Sequence, residues 1–338
     1  MTGKNIRYYR LLREMSQESL AKEVALGKMA ISNYESGKRT PDYATLLRIA
    51  KALDVSLASL LAQDHDELTI WHGPFRTHVT QSQQEVIRGT VERYLGRLLE
   101  TVSFVGEAAL PPVPTWTQAH ADDIEEAGRQ LRAVLGLPEN GPVGNLTDIL
   151  ENNGFLVCPV VYDASIYAGH IGTVNGRPFI AINTALPAVR RRLTLVHALA
   201  HLVYVLDDRR NEECFFDAVA SAFLLPKADI VRELGPRRTE IRGDLRLIQR
   251  EYGVCRDTIV MRAWQAKIIS RNTYDATRKW IESNELYADE HAEGREEKPH
   301  LLEQMVLRAV NEGEIGLSKA AELLEIPFTD VRQLCCPK

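Results

Sequence analysis

His197 and His201 stand four residues apart in the run Leu195-Val196-His197-Ala198-Leu199-Ala200-His201. On a helix, positions i and i+4 share one face about a turn apart, so both imidazoles can reach a single metal ion. In the pattern H-E-x-x-H the second position is a glutamate acting as general base toward a metal-bound water. Here that position is Ala198. The pair alone proves little, and its surroundings decide. His197 lies in an otherwise apolar stretch, Leu193 to Leu206, where two imidazoles need a reason to be. Twelve residues after His201 a second helix begins, Glu213-Cys214-Phe215-Phe216-Asp217. One helix cannot surround a tetrahedral ion, so a third ligand has to come from another segment, and Glu213 can supply it. Asp217, a turn further on, can accept the remaining ring N–H of a ligand histidine and fix its tautomer. The fourth position is left for water.

Elements that position these residues can be read from periodicity. Helices are expected from about His120 to Leu135 and from Asn145 or Thr147 to Asn152. Phe155 to Val161 reads as a strand, with two more near Ser165 to Gly169 and Pro178 to Asn183 joined through Asn175-Gly176, a strong hairpin signal. A small antiparallel sheet is thus expected ahead of the helix that carries His197. Within it Pro178 to Asn183 is the expected edge strand, where an extended peptide can add. His170 and Tyr204 are weak candidates for an oxyanion donor beside the more ordinary reading as packing residues. Cys214 adjoins Glu213, so a cysteine switch in which its thiolate fills the open coordination site is conceivable, but neighbouring helical residues point about 100° apart, and a buried apolar cysteine is the default expectation.

The N-terminal sixty residues read as five short helices. Ile6, Leu11 and Leu12 recur at helical spacing; Ser16 can cap a second helix with Leu20, Ala21 and Val24 inward; Ala25-Leu26-Gly27 makes a turn. A third helix, Lys28 to Ser36, buries Ile31 and Tyr34 and ends at Gly37. The fourth carries Leu46, Leu47, Ile49, Ala50 and Leu53, and Leu57 to Leu61 form the fifth. Residues 1–62 have a net charge of +4 while the remainder has −9, so only this segment has the balance of a module that meets phosphate.

Gln81 to Val102 reads as one amphipathic helix, either a dimerisation arm or a helix packed on the next domain, ended by Leu110-Pro111-Pro112-Val113-Pro114. Residues 227 to 285 read as helical. Ala288 to Pro299, dense in charge, reads as a flexible linker, and Leu301 to Leu334 as a three-helix unit serving as a lid, a protein contact or a DNA reader. Five scattered cysteines, 158, 214, 255, 335 and 336, make no disulfide framework. With no apolar run of about eighteen residues and no secretory leader, a cytoplasmic protein without a membrane partner is expected.

Two resemblances follow from these residues. Ser16-Gln17-Glu18-Ser19-Leu20-Ala21 with Ile31-Ser32-Asn33-Tyr34-Glu35-Ser36-Gly37-Lys38-Arg39-Thr40-Pro41 resembles the XRE, or lambda-repressor-like, helix-turn-helix family. The resemblance implies double-stranded DNA as partner, with Gln17, Lys28, Met29, Ser32 and Asn33 facing the major groove and Lys38 and Arg39 meeting phosphate. It also implies a homodimer reading paired half-sites. The second run, Arg191 to His201 with Glu213, Asp217, Ala218, Ala220 and Leu224-Leu225-Pro226, resembles the ImmA/IrrE metallopeptidases, in which fusion to an XRE domain is familiar. That resemblance implies Zn2+ on His197, His201 and Glu213, Asp217 behind them, and a gluzincin-like endopeptidase. Its expected substrate is an XRE-type repressor, a partner or the chain itself, whose loss switches on stress, phage-defence or mobile-element genes.

The alanine at 198 then reads as an engineered replacement of a native glutamate. A natural pseudopeptidase, and so a non-catalytic transcription factor with a sensor domain, is the alternative. A nuclease or other metal hydrolase is disfavoured, because one three-ligand site lacks the carboxylates for a second metal. The expected fold is mainly α with a small antiparallel sheet, α+β. Its expected parts are a helix-turn-helix domain (1–65), a helical linker (66–118), a zincin-like metallopeptidase domain (119–285), a charged linker (286–299) and a helical C-terminal unit (300–338).

Overall fold

The computed structural model describes residues 2–62, 68–75, 79–116, 119–206, 212–284 and 297–335. The chain divides into two compact units, one of residues 1–69 and 75–97, the other of residues 70–74 and 98–338.

The first unit is built from α1 (Thr2–Leu12), α2 (Gln17–Glu23), α3 (Lys28–Glu35), α4 (Tyr43–Leu53) and α5 (Leu57–Leu61). Ser16, Asp42 and Ser56 each accept the backbone N–H three residues on, which starts α2, α4 and α5. Ile6, Leu20, Ile31, Ile49, Leu53 and Leu60 are fully buried between them. On α1 the inward face is Asn5, Ile6 and Arg10, while Leu12 is exposed; Leu47 on α4 is exposed as well. Arg10 offsets its burial through Glu35, 2.5 and 2.9 Å away on α3. After the strand β1 (Ile70–His72) comes α6 (Gln81–Val105), whose first part belongs to this unit. That first part packs on α1, while residues 98–105 belong to the second unit. The Arg93 guanidinium sits 4.6 and 4.7 Å from the Tyr8 and Tyr9 rings and donates to Asn5 at 2.8 Å. Glu85 pairs with Arg7 at 2.7 Å.

The second unit continues with β2 (Ala119–His120), α7 (Ile124–Val134), α8 (Leu146–Asn152), β3 (Leu156–Val160), β4 (Gly169–Val174), β5 (Arg177–Asn183), α9 (Ala188–Val203), β6 (Tyr204–Val205) and α10 (Glu212–Leu224). Further helices follow: α11 (Lys227–Leu234), α12 (Leu245–Tyr252), α13 (Arg256–Gln265), α14 (Arg271–Ser283), α15 (Leu301–Asn311), α16 (Leu317–Leu324) and α17 (Phe328–Cys335). The main sheet has the order β1-β4-β5-β3. Asn175 and Gly176, at φ 50° and 80°, make the hairpin between β4 and β5.

Three strand expectations are corrected. The strand expected near 165–169 begins only at Gly169, because Asp163 accepts from Ser165 and the residues before Gly169 form a turn. The sheet is mixed, since β3 pairs with β5 in parallel. The expected edge, Pro178 to Asn183, is interior: β5 lies between β4 and β3, and all six residues are buried, five of them apolar and Asn183 hydrogen-bonded to the Tyr162 and Tyr167 backbone. The strand β1 falls in a stretch for which no strand was expected, its three residues being too few to show alternation.

The core of this unit joins Ile180 and Ile182 of β5 to Leu195, Val196 and Leu199 of α9 and to Phe216, Val219 and Phe223 of α10. Arg132 of α7, buried, is spent on three carbonyls, those of Phe223, Pro138 and Gly141, at 2.7–2.9 Å. The stretch expected as a charged linker is not all solvated. Residues 285–296 lie outside those described, but Glu297 is buried, accepts from the Leu146 and Thr147 N–H groups at the start of α8, and pairs with buried Arg192. Paired backbone donors and a guanidinium are what make its burial affordable. No helix among the described residues is long and apolar enough to cross a membrane.

Candidate functional site

α9 and α10 place the candidate metal ligands. α9 is anchored by its apolar face, Leu195, Val196 and Leu199, which leaves His197 and His201 one turn apart facing α10. Glu213 stands in the first turn of α10. The Nε2 atoms of His197 and His201 are 3.0 Å apart. Glu213 approaches both, Oε2 at 3.4 Å from His197 Nε2 and Oε1 at 3.3 Å from His201 Nε2. One ligand atom from each of the three residues lies within 4.8 Å of the others, and among the described residues no other such group is found.

Asp217 Oδ1 is 2.8 Å from His197 Nδ1, so this ring donates from Nδ1 and directs Nε2 toward Glu213. Two imidazole nitrogens and a carboxylate thus converge on one point, where either a shared proton or a metal cation can bind them together. The N/N/O donor set suits zinc. His197 is buried, His201 half-buried, and Glu213 and Asp217 open to solvent. Phe216, which sequence reasoning missed because an apolar residue gives no chemical signal, sets its ring against His201 at 4.5 Å and walls the other side. Ala198 is buried in the core, where its methyl offers no proton acceptor.

Both candidate oxyanion donors are otherwise engaged. Tyr204 donates to the Ala127 carbonyl at 2.8 Å, and burial pushes its phenol up to about 12. His170 alternates to the sheet face opposite Ile171, which packs with α9, and lies 2.8 Å from Tyr167 Oη and 3.0 Å from His72 Nδ1. Cys214 is exposed rather than buried.

In the first unit α3 presents the expected DNA-facing residues. Lys28 and Met29 are exposed and Ser32 and Asn33 half-exposed; Lys38 and Arg39 are exposed just beyond Gly37, whose φ of 72° ends the helix. Gln17 differs from the rest. Its Nε2 donates to Glu35 at 2.7 Å, so the Arg10–Glu35 pair tethers this side chain and leaves its carbonyl oxygen as the group to offer.

Comparison with known proteins places both parts. A family model described as Helix-turn-helix matches residues 6–60, and the M78 peptidase model, described as an IrrE N-terminal-like domain, matches residues 162–263. An uncharacterized HTH-type transcriptional regulator of Bacillus subtilis is 36% identical over 67 residues, 20% of this chain and 58% of that protein. Another, of Methanocaldococcus jannaschii, is 32% identical over 62 residues, 18% of this chain and 94% of that protein. The chain thus spans little more than half of the first relative and nearly all of the second. No solved structure matches.

Proposed function

The chain belongs to the HTH-type transcriptional regulators, and from that premise we propose that it couples DNA binding to a zinc endopeptidase centre whose hydrolytic step Ala198 withdraws. The observation that carries this reading is the convergence of His197, His201 and Glu213, with Asp217 behind His197, inside an IrrE-like domain. His197, His201 and Glu213 would hold Zn2+, which when bound would supply Lewis acidity to polarise a carbonyl and activate water. The chain's own residues do the rest. Asp217 holds the proton on His197 Nδ1, Glu213 contributes the negative charge, and Phe216 keeps water from one side of His201. A glutamate at 198 would accept a proton from water and pass it to the leaving amine. Removing a positioned general base costs about 10² to 10⁴ in rate while leaving metal ligands in place.

The substrate in this reading is an XRE-type repressor, a partner or the chain's own N-terminal module, and its cleavage derepresses the genes it covers. The DNA-binding part acts as a homodimer in the cytoplasm, as paired half-sites require. The second reading is a regulator whose metallopeptidase-like unit senses a ligand or partner without cutting, and Ala198 itself favours it. One experiment separates the two. Ala198→Glu protein is incubated with zinc and an HTH-type repressor encoded beside it. A discrete product abolished by chelator supports the peptidase; inertness of the restored protein supports the sensor.

A further inference from the structure

Residues 70–74 belong to the second unit although the chain on either side of them, 1–69 and 75–97, belongs to the first. The strand they form, β1, adds to the outer side of β4 in antiparallel register, with Ile70 opposite Val174, Trp71 opposite Thr173 and His72 opposite Gly172. The Gly73 N–H extends the ladder, donating to the Ile171 carbonyl at 2.7 Å.

The side of β4 that receives β1 is shaped for extended backbone. A Cβ on Gly172 would stand 2.3 Å from the Trp71 carbonyl oxygen and 2.3 Å from the Phe179 ring, so only glycine admits a strand there. His170 offers Nε2 to His72 Nδ1 at 3.0 Å, and both rings stand edge-on to Phe179, with centroids 5.6 and 5.9 Å from it. Trp71, by contrast, is left 53% exposed. β1 is therefore held mainly through its main chain and one imidazole, the mode in which one extended segment can replace another.

The direction of the strand gives it a consequence. Antiparallel to β4, a segment continuing past Gly73 heads toward Gly169, whose Cβ would meet Thr194 Cγ2 at 3.1 Å. Thr194 lies one turn before His197 and Ala198 on α9, so a peptide laid on this edge is led toward the metal-centre helix.

We propose that the outer edge of β4 is a peptide-binding edge, that β1 is its built-in occupant, and that the partner it fits is an extended apolar–aromatic–histidine segment following the helix-turn-helix of another regulator. The class of partner rests on the reading under Proposed function; the occupancy of the edge does not. The incoming segment has to displace β1, so the resting chain is closed to it.

The test uses the full chain with Ala198 in place, and reads binding rather than cleavage, so failure of the peptidase reading leaves it intact. The probe is a fluorescent peptide of residues 68–75, followed by anisotropy. In the double variant Trp71→Cys/Thr173→Cys, oxidation ties β1 to β4 across a register pair and reduction frees it in the same sample. The expected result is binding at least about tenfold weaker in the oxidised than in the reduced state, because occupancy of a site by its own chain scales down apparent affinity. Trp71→Pro, which removes a ladder donor, is expected to bind more tightly than the unaltered chain. Equal binding in oxidised and reduced states, or no binding in either, overturns the proposal even where the proline variant does not fold.

Discussion

Asp217 Oδ1 lies 2.8 Å from His197 Nδ1 and thereby decides which nitrogen of that ring faces Glu213. Asp217→Asn can present its amide nitrogen to Nδ1 and so favour the other tautomer. Zinc affinity is expected to fall about 10- to 100-fold, measured by competition with a chelating dye, while DNA affinity stays unchanged. Equal zinc affinity in both proteins would show that the carboxylate does not orient the ring.

On the DNA-binding unit, base readers and phosphate contacts are expected to separate. Asn33→Ala should cost about 1–3 kcal/mol on the specific operator and relax its sequence preference. Lys38→Ala or Arg39→Ala should weaken all sequences alike and reduce the salt slope by about 1. Mobility-shift titrations on specific and scrambled duplexes at several salt concentrations check both.

Glu151 of α8 is buried, accepts the His300 and Leu301 N–H groups at the start of α15 at 3.2 Å, and leaves its other oxygen unpaired. Burial, only partly offset by those two donors, pushes its carboxyl from 4.5 up to about 8. The folded state then keeps a proton that the unfolded chain has lost. Stability falls as pH rises from about 4.5 to about 8, by about 1.4 kcal/mol per unit at most, and levels off above. Glu151→Gln keeps a carbonyl acceptor without the charge. It should match the unaltered chain near pH 4.5 and exceed it near pH 8.5 in urea unfolding; parallel curves would contradict the shift.

Arg192 and Glu297 are both fully buried and paired. Glu297→Ala strands a guanidinium among carbonyls and is expected to cost about 3–5 kcal/mol of stability, whereas Arg192→Met with Glu297→Leu together should recover much of the loss. Denaturant midpoints for the single and double variants decide it.

Much of this was legible in the chain. The i, i+4 histidines, Glu213 and Asp217, the five N-terminal helices with Ser16, and the Asn175-Gly176 hairpin are local patterns, set by helical periodicity, capping and turn chemistry within a few residues. Ala198 needs no coordinates to be seen as a missing base. Other features depended on contacts between residues far apart in sequence. Glu297 reads as a solvated linker residue until Arg192, 105 positions away, is found beside it. Gln17 reads as a free base reader until Glu35 takes its amide. Thr69-Ile70-Trp71 favour extended backbone, but three residues are too short a run to show alternation, and only pairing with β4 identifies them as an edge strand. Pattern can say which side chains share a face, but strand order, and therefore which edge is open and what lies on it, is settled only when the whole sheet closes its hydrogen bonds.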